Sequence, residues 1–143
     1  MTQKIAIACD HGGVALKAFL KEVIDVEWLD LGTDSSDSVD YPDYGYKLAE
    51  AITSGQADKG IAICGSGIGI SMACNRYADA RAALCTDTTM ARLTREHNDA
   101  NIVCLGARLT GDILAKEIVE TFLATEFEGG RHEGRVNKLK KGL

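Results

Sequence analysis

The stretch AICGSGIGISMACN, residues 62–75, joins a short apolar run, three glycines at alternate positions and a segment of helical composition. A strand, a glycine loop and a helix in this order are typical of α/β proteins that bind an anion where the helix begins. The loop opens with Cys64, at a place where backbone N–H groups favour a thiolate. The thiol is therefore either a buried core side chain or a reactive group.

The common phosphate-binding loops do not match this stretch. A P-loop requires a lysine followed by Ser or Thr, and residues 62–75 contain no lysine. Two other patterns fail at Ile70. The dinucleotide-binding pattern G-x-G-x-x-G requires a glycine at this position, and the phosphatase pattern C-x5-R requires an arginine there. Two interpretations remain: a tight turn without a ligand, or an anion site of another kind.

Similar apolar runs recur along the chain. The predicted strands are residues 4–10, 26–32, 59–65, 81–87 and 101–107, and segments with helical periodicity alternate with them. Most of these runs are continuously apolar at their centres, as in parallel strands that are buried on both faces. The alternation predicts a single α/β domain over residues 1–143, a three-layer α/β/α Rossmann-like fold with a five-stranded parallel sheet.

Composition restricts the class of protein. The 143 residues are 45% hydrophobic and include five cysteines without a C-x-x-C pair, so neither disulfides nor a zinc site is expected. No apolar run reaches the roughly 20 residues of a membrane helix, and the N-terminus lacks signal-peptide features, so we expect a cytoplasmic protein with no membrane partner. The basic tail from residue 131 carries too few charges to favour nucleic acid.

Polar residues follow the predicted strands, where open parallel sheets bind their ligands. Asp10 and His11 follow the first strand, although Asp10 equally fits a helix cap. His97 closes a predicted helix, where the helix dipole alone would favour a histidine. Arg131 and Arg135 share a helix face, as either a phosphate grip or a solvated surface. The three histidines lie in separate segments without metal-ligand spacing, so no metal is predicted.

Five stretches together resemble one family, the type B ribose-5-phosphate isomerases, which includes the galactose-6-phosphate and allose-6-phosphate isomerases. The matching stretches are IACDHGG (7–13), DYPDYG (40–45), ICGSGIGISMACNR (63–76), RLTREHNDANIVCLGAR (92–108) and EGGRHEGRV (128–136). The resemblance implies an aldose–ketose isomerase that acts on a sugar phosphate, with ribose 5-phosphate and ribulose 5-phosphate as the favoured pair in the pentose phosphate pathway. It implies no metal and no organic cofactor.

The same resemblance implies roles for individual residues. Cys64 would be the base that moves a proton between C1 and C2, and His97 would open the sugar ring with help from Asp10. Ser66 would lie beside the reacting oxygens, at a position where the family often has threonine. The implied substrate contacts are His11, Tyr41, Gly65, Gly67, Ile68, Gly69, Asn98, Arg108, Arg131 and Arg135.

The resemblance also implies a homodimer or homotetramer whose sites lie at the dimer interface. The partner subunit would then supply His97, Asn98 and Arg108. Two other classes of function stay open: a covalent hydrolase that uses Cys64 and His97, and a phosphosugar-binding module without catalysis. Among the isomerases, a six-carbon substrate remains the alternative, but one chain carrying all the matching residues favours ribose 5-phosphate.

Overall fold

The computed structural model describes residues 3–143, which form five strands and six α-helices. The strands are β1 (Lys4–Cys9), β2 (Glu27–Asp30), β3 (Lys59–Cys64), β4 (Ala82–Leu84) and β5 (Ile102–Gly106). The helices are α1 (Val14–Val23), α2 (Tyr41–Thr53), α3 (Ile68–Cys74), α4 (Thr88–Asn98), α5 (Asp112–Ala124) and α6 (Glu133–Lys141). Short 3₁₀ turns at His11–Gly13 and Gly130–His132 precede α1 and α6.

The strands form one sheet in the order β2-β1-β3-β5-β4, and every neighbouring pair is parallel. Parallel neighbours require a crossover between them, which the intervening helices supply. All five carboxyl ends therefore lie at one edge of the sheet, and all five amino ends lie at the opposite edge. The predicted α/β fold with a five-stranded parallel sheet is confirmed.

Two apolar cores cover the two faces of this sheet. Leu20 of α1 and Phe122 of α5 are fully buried in one core together with β-strand side chains such as Ile7. Leu48 of α2 and Ile70 of α3 are fully buried in the other. Because both faces are covered, the central strands are apolar at successive positions rather than at alternate ones.

Some predicted boundaries are wrong, for local reasons. Strand β4 has three residues rather than seven, because Asp87 accepts a hydrogen bond from the Met90 N–H and caps α4 soon after the strand. The helix predicted over residues 69–78 ends at Cys74 as α3, because the Asn75 side chain pairs with both backbone groups of Ala82, at 2.8 and 2.9 Å. None of the helices within residues 3–143 is long and apolar enough to cross a membrane.

Candidate active site

The thiol of Cys64 lies at the carboxyl edge of the sheet, as the last side chain of β3. It is 4% exposed, and its Sγ accepts a hydrogen bond from the backbone N–H of Gly67 at 3.1 Å. Gly67 has a φ of +80°, and a Cβ there would lie 2.6 Å from Leu84 Cδ1. A glycine is therefore required for the loop to turn beneath the thiol.

The other loop residues keep polar groups near this thiol. The Ser66 Oγ accepts a hydrogen bond from the Ile68 N–H at 3.2 Å, which leaves the hydroxyl proton free to be donated to a ligand. The Tyr41 ring covers Gly69 so closely that a Cβ at Gly69 would lie 2.6 Å from Tyr41 Cε1. Tyr41 is itself 40% exposed, so it forms part of the accessible wall of the loop.

Asp10 and His11 adjoin the glycine loop from β1. The buried Asp10 carboxylate accepts a hydrogen bond from the Gly12 N–H at 2.9 Å, so the helix-cap interpretation of this residue is confirmed. A Cβ at Gly12 would lie 3.8 Å from the Gly65 nitrogen, which brings the two loops together. His11 Nδ1 accepts a hydrogen bond from the Val39 N–H at 3.1 Å, so Nε2 carries the proton of the neutral ring and faces outward as a donor.

Arg108 also belongs to this edge. Its backbone N–H donates to the Gly65 carbonyl oxygen at 3.0 Å, and a Cβ at Gly65 would lie 3.4 Å from the Arg108 Cδ. Its guanidinium is on an exposed side chain next to the glycine loop of its own chain. The expectation that a partner subunit supplies Arg108 together with His97 and Asn98 does not fit this position, because Arg108 follows β5 at the carboxyl edge, beside the glycine loop of its own chain.

His97 and Asn98 lie at the opposite edge of the sheet. They end α4, whose 11 residues run from the carboxyl edge after β4 back to the amino end of β5. At 1.5 Å per residue this helix is about 16 Å long, so it carries His97 about that far from the carboxyl edge of the sheet. A groove of about 590 Å³ lies beside Asn98, between β4 and the end of α6.

The segment that carries Arg131 is fixed to this amino edge. The Arg95 guanidinium donates to the Thr125 carbonyl oxygen at 3.0 Å, and the Glu128 N–H donates to the Glu96 carbonyl oxygen at 3.1 Å. The chain then turns at Gly129, so that the His132 ring stacks on His97 with centroids 4.4 Å apart and an interplanar angle of 16°. The stack therefore brings the segment that carries Arg131 to the end of α4.

The predicted site residues thus form two groups at opposite edges. The carboxyl-edge group comprises Asp10, His11, Tyr41, Cys64, Gly65, Ser66, Gly67, Ile68, Gly69 and Arg108. The amino-edge group comprises His97, Asn98, Arg131 and Arg135. A Cys64–His97 dyad, which the hydrolase interpretation needs, does not form within one chain.

The remaining cysteines have surroundings typical of core side chains. Burial raises the pKa of the Cys9 thiol to about 11 and that of the Cys85 thiol to about 12. Both are therefore neutral thiols near neutral pH, in keeping with their assignment to the core. Within residues 3–143 neither sulfur accepts a hydrogen bond from a backbone N–H, the contact that the Cys64 Sγ has with Gly67.

Sequence spacing missed two side chains beside His97. Glu128 Oε1 lies 3.4 Å from His132 Nε2, and one donor atom from each of Glu128, His132 and His97 lies within 4.8 Å of the others. The prediction of no metal considered sequence spacing alone, whereas folding places two of the three histidines in contact. No local pattern could have revealed this contact, since His97 and His132 are 35 positions apart in the sequence.

Comparisons with known proteins found matches along nearly the whole chain. A family model described as Ribose/Galactose Isomerase matches residues 5–139. Ribose-5-phosphate isomerase B of Escherichia coli strain K12 is 44% identical over 140 residues, which cover 96% of this chain and 94% of that protein.

Two solved structures are similar along nearly their whole length. Clostridium thermocellum ribose-5-phosphate isomerase B is 54% identical with a TM-score of 0.92, over 96% of this chain and 95% of the other. A ribose 5-phosphate isomerase from Thermotoga maritima is 51% identical with a TM-score of 0.95, over 98% and 99% of the two chains.

Proposed function

This chain belongs to the ribose/galactose isomerase family, and from that premise we propose that it interconverts ribose 5-phosphate and ribulose 5-phosphate. The observation that carries the proposal is the Cys64 thiol, buried at the mouth of a glycine loop and hydrogen-bonded to a loop N–H. A base in such a place can remove a proton next to a carbonyl group, and the loop can bind the oxygen that becomes negative.

The proposed reaction begins with ring opening. His97 of one subunit is assisted by Asp10 at the carboxyl edge of a second subunit. Together they move a proton from the C1 hydroxyl to the ring oxygen, which opens the ring and yields the free aldehyde. His97 suits this step because an imidazole ring has two nitrogens and can both accept and deliver a proton. The product is an open-chain aldose whose C2 proton is acidified by the neighbouring carbonyl.

Isomerisation follows on the open chain. The Cys64 thiolate takes the proton from C2, the electron pair moves toward O1, and an enediolate forms. Backbone N–H groups of residues 65–69 and the Ser66 hydroxyl stabilise the negative oxygen. The proton of the O2 hydroxyl passes to O1, and Cys64 then returns a proton to C1. The carbonyl is now at C2. The substrate is rearranged with no net oxidation, so the step requires no redox cofactor.

The phosphate is held away from the reacting carbons. Arg131 and Arg135 supply exposed guanidinium groups that donate to phosphate oxygens with directed geometry, and the outward Nε2–H of His11 supplies another donor. Tyr41, Asn98 and Arg108 contact the sugar. Binding energy from the distant phosphate then orients the reacting carbons.

We propose a homodimer as the smallest active unit, which a tetramer would contain twice. The support is the division of the site residues between two sheet edges about 16 Å apart along α4. A second copy that sets its amino edge against the carboxyl edge of the first completes a site, and two-fold symmetry completes a second one. The five unpaired cysteines fit a reducing compartment, which supports a cytoplasmic location.

The test is a direct comparison of kcat/KM for ribose 5-phosphate, allose 6-phosphate and galactose 6-phosphate under identical conditions. We expect ribose 5-phosphate to be converted fastest. A clear preference for a six-carbon sugar would replace the substrate while leaving the isomerase assignment in place. Calorimetric binding of all three sugars without turnover of any would favour a binding module instead.

A further inference from the structure

The side chains of His97, Glu128 and His132 converge at the amino edge of the sheet. One donor atom of each lies within 4.8 Å of the others. We infer that these three residues form a binding site for a divalent transition-metal ion, with Zn²⁺ as the best-matched ion, and that the bound ion inhibits the enzyme by occupying His97. The inhibitory part of this inference rests on the proposed function of His97, whereas the binding part does not.

The His132 side chain is the first observation that points to a ligand. It is only 6% exposed, yet its Nε2 has no hydrogen-bond partner among the described residues. A buried polar atom without a partner destabilises a protein, so such atoms are rare in folded proteins. This nitrogen is aimed toward Glu128, at a distance too long for a strong hydrogen bond.

The spacing of the donors fits an ion between them. Glu128 Oε1 and His132 Nε2 are 3.4 Å apart. Two ligands at about 2.0–2.1 Å from a tetrahedral zinc ion are separated by roughly 3.3 Å. An imidazole binds a metal ion in the plane of its ring, so His97 must rotate out of its stack on His132 to reach the same ion. His97 is half-buried at the end of a helix, where such a rotation is possible.

The chemistry of the three donors selects the class of ion. Two imidazole nitrogens and one carboxylate oxygen are the ligand set of borderline ions such as Zn²⁺, whereas Mg²⁺ and Ca²⁺ require mostly oxygen donors. The exposed Glu128 carboxylate gives the ion a route from solvent and contributes the negative charge that two neutral imidazoles lack. Three protein ligands leave a fourth position for water.

A metal ion bound to His97 would suppress opening of the sugar ring directly. A ring nitrogen of His97 that donates its electron pair to the ion can no longer accept or deliver a proton, so turnover of ribose 5-phosphate falls. Removal of the ion by a chelator returns the nitrogen to the reaction. The effect is therefore reversible and saturable.

The test is a titration of the metal-free protein with Zn²⁺ by calorimetry, and with Co²⁺ by visible absorption. We expect one ion per chain, and the d–d bands of a tetrahedral Co²⁺ site without the near-ultraviolet band of a thiolate ligand. Glu128→Gln should weaken binding about tenfold or more. Glu126→Gln removes the same charge from an exposed position two residues away and should not change it.

His132→Gln is a second test, with circular dichroism to check its fold, because the residue is buried. Equal affinities for the wild type and Glu128→Gln, or a thiolate band that places the ion on a cysteine, would overturn the site. Binding with the predicted pattern by a chain that turns over no sugar phosphate would contradict the proposed function while the site stands. Turnover of sugar phosphate without saturable binding of Zn²⁺ would contradict the metal site and leave the proposed function in place.

Discussion

The Cys64 Sγ accepts a hydrogen bond from the backbone N–H of Gly67, three residues later, at 3.1 Å. This contact requires the left-handed backbone of Gly67, at a φ of +80°, because that conformation turns the N–H back toward the end of β3. The thiolate gains more from the N–H than the neutral thiol does, since a charged acceptor makes the stronger hydrogen bond. The glycine loop therefore positions the proposed base and gives its sulfur a hydrogen-bond donor.

Replacement of the base should remove the chemical step. Cys64→Ala is expected to lower kcat about a thousandfold, because a positioned general base contributes about 10²–10⁴ in rate. KM should change only a few-fold, since the phosphate contacts lie elsewhere. Steady-state assays in both directions measure this effect. Cys85→Ala, at another buried thiol, is the matched control and should retain activity, whereas undiminished turnover by Cys64→Ala would exclude the assigned role.

The turn at Gly67 should be as sensitive as the thiol. Gly67→Ala would place a Cβ 2.6 Å from Leu84 Cδ1, so the loop must move and the hydrogen bond to Cys64 must be lost. Gly55→Ala is the control, because Gly55 has an almost identical φ of +81° but open space around it. We expect Gly55→Ala to cost about 1–2 kcal/mol of stability with normal kcat, and Gly67→Ala to lose most activity. Equal kcat values for the two variants would contradict the loop argument.

The sequence predicted the sheet because its strands carry a local signal. Runs such as residues 59–65 are apolar at successive positions, and this pattern depends on near neighbours alone. The same holds for Cys64, which is adjacent in sequence to the glycines that surround it. The resemblance to a family extended the candidates to His97 and Arg131, for which the residues alone left a structural interpretation open.

The sequence could not predict the division of the site. His97 lies about 16 Å along α4 from the edge that carries Cys64, and only the direction of that helix decides this. The His97–His132 stack has the same origin, since it depends on Arg95 binding the carbonyl of Thr125 across 30 residues of chain. Contacts of this kind arise from tertiary packing and leave no spacing pattern.

The loop that precedes α2 is held by a buried lysine. Lys17 Nζ donates to carboxylate oxygens of Asp30 and Asp34, both at 2.7 Å, and Asp30 also accepts from Lys21. Burial alone would raise the pKa of the Asp30 carboxyl, but hydrogen bonds from Lys17, Lys21 and the Gly32 N–H outweigh it and lower the pKa below its usual value. The carboxylate form is thus the one that stabilises the fold.

Lys17→Met should reduce the free energy of unfolding by about 2 kcal/mol, because it leaves a partly buried carboxylate without its main partner. A lowered carboxyl pKa gives stabilisation that is complete above the unfolded value of about 3.9 and is lost as the pH falls through the folded value. The difference between wild type and variant should therefore be constant near neutral pH and shrink in acid. Urea unfolding at several pH values measures it, and a difference that grew on acidification would refute the ionic argument.

Ring opening can be separated from proton transfer by the direction of the assay. Ribulose 5-phosphate cannot form a five-membered ring, because the oxygen that would close it carries the phosphate. His97→Asn should therefore slow the conversion of ribose 5-phosphate about a hundredfold. The reverse reaction, which starts from open-chain ribulose 5-phosphate, should slow far less. Initial rates followed from each substrate provide the measurement. A uniform loss in both directions would assign His97 to the proton transfer itself, and an unaffected forward rate would remove it from catalysis.

Two inactive variants should restore each other if each site uses two chains. In a heterodimer of Cys64→Ala and His97→Asn subunits, one site combines the intact Cys64 of one chain with the intact His97 of the other, and the second site lacks both. An equal mixture with random pairing contains half heterodimers, so activity should return to roughly a quarter of the wild-type value. Co-expression of differently tagged chains and purification through both tags isolates the heterodimer for assay.

The matched control combines two variants from the same sheet edge. In a heterodimer of Cys64→Ala and Asp10→Asn subunits, both residues belong to the carboxyl-edge group, so each site keeps one damaged residue and no activity should return. Restoration by the first pair but not by the second requires that Cys64 and His97 in one site come from different chains. Failure of the first pair, with heterodimers present, would mean that a single chain assembles the whole site and that α4 must rearrange to bring His97 to the thiol.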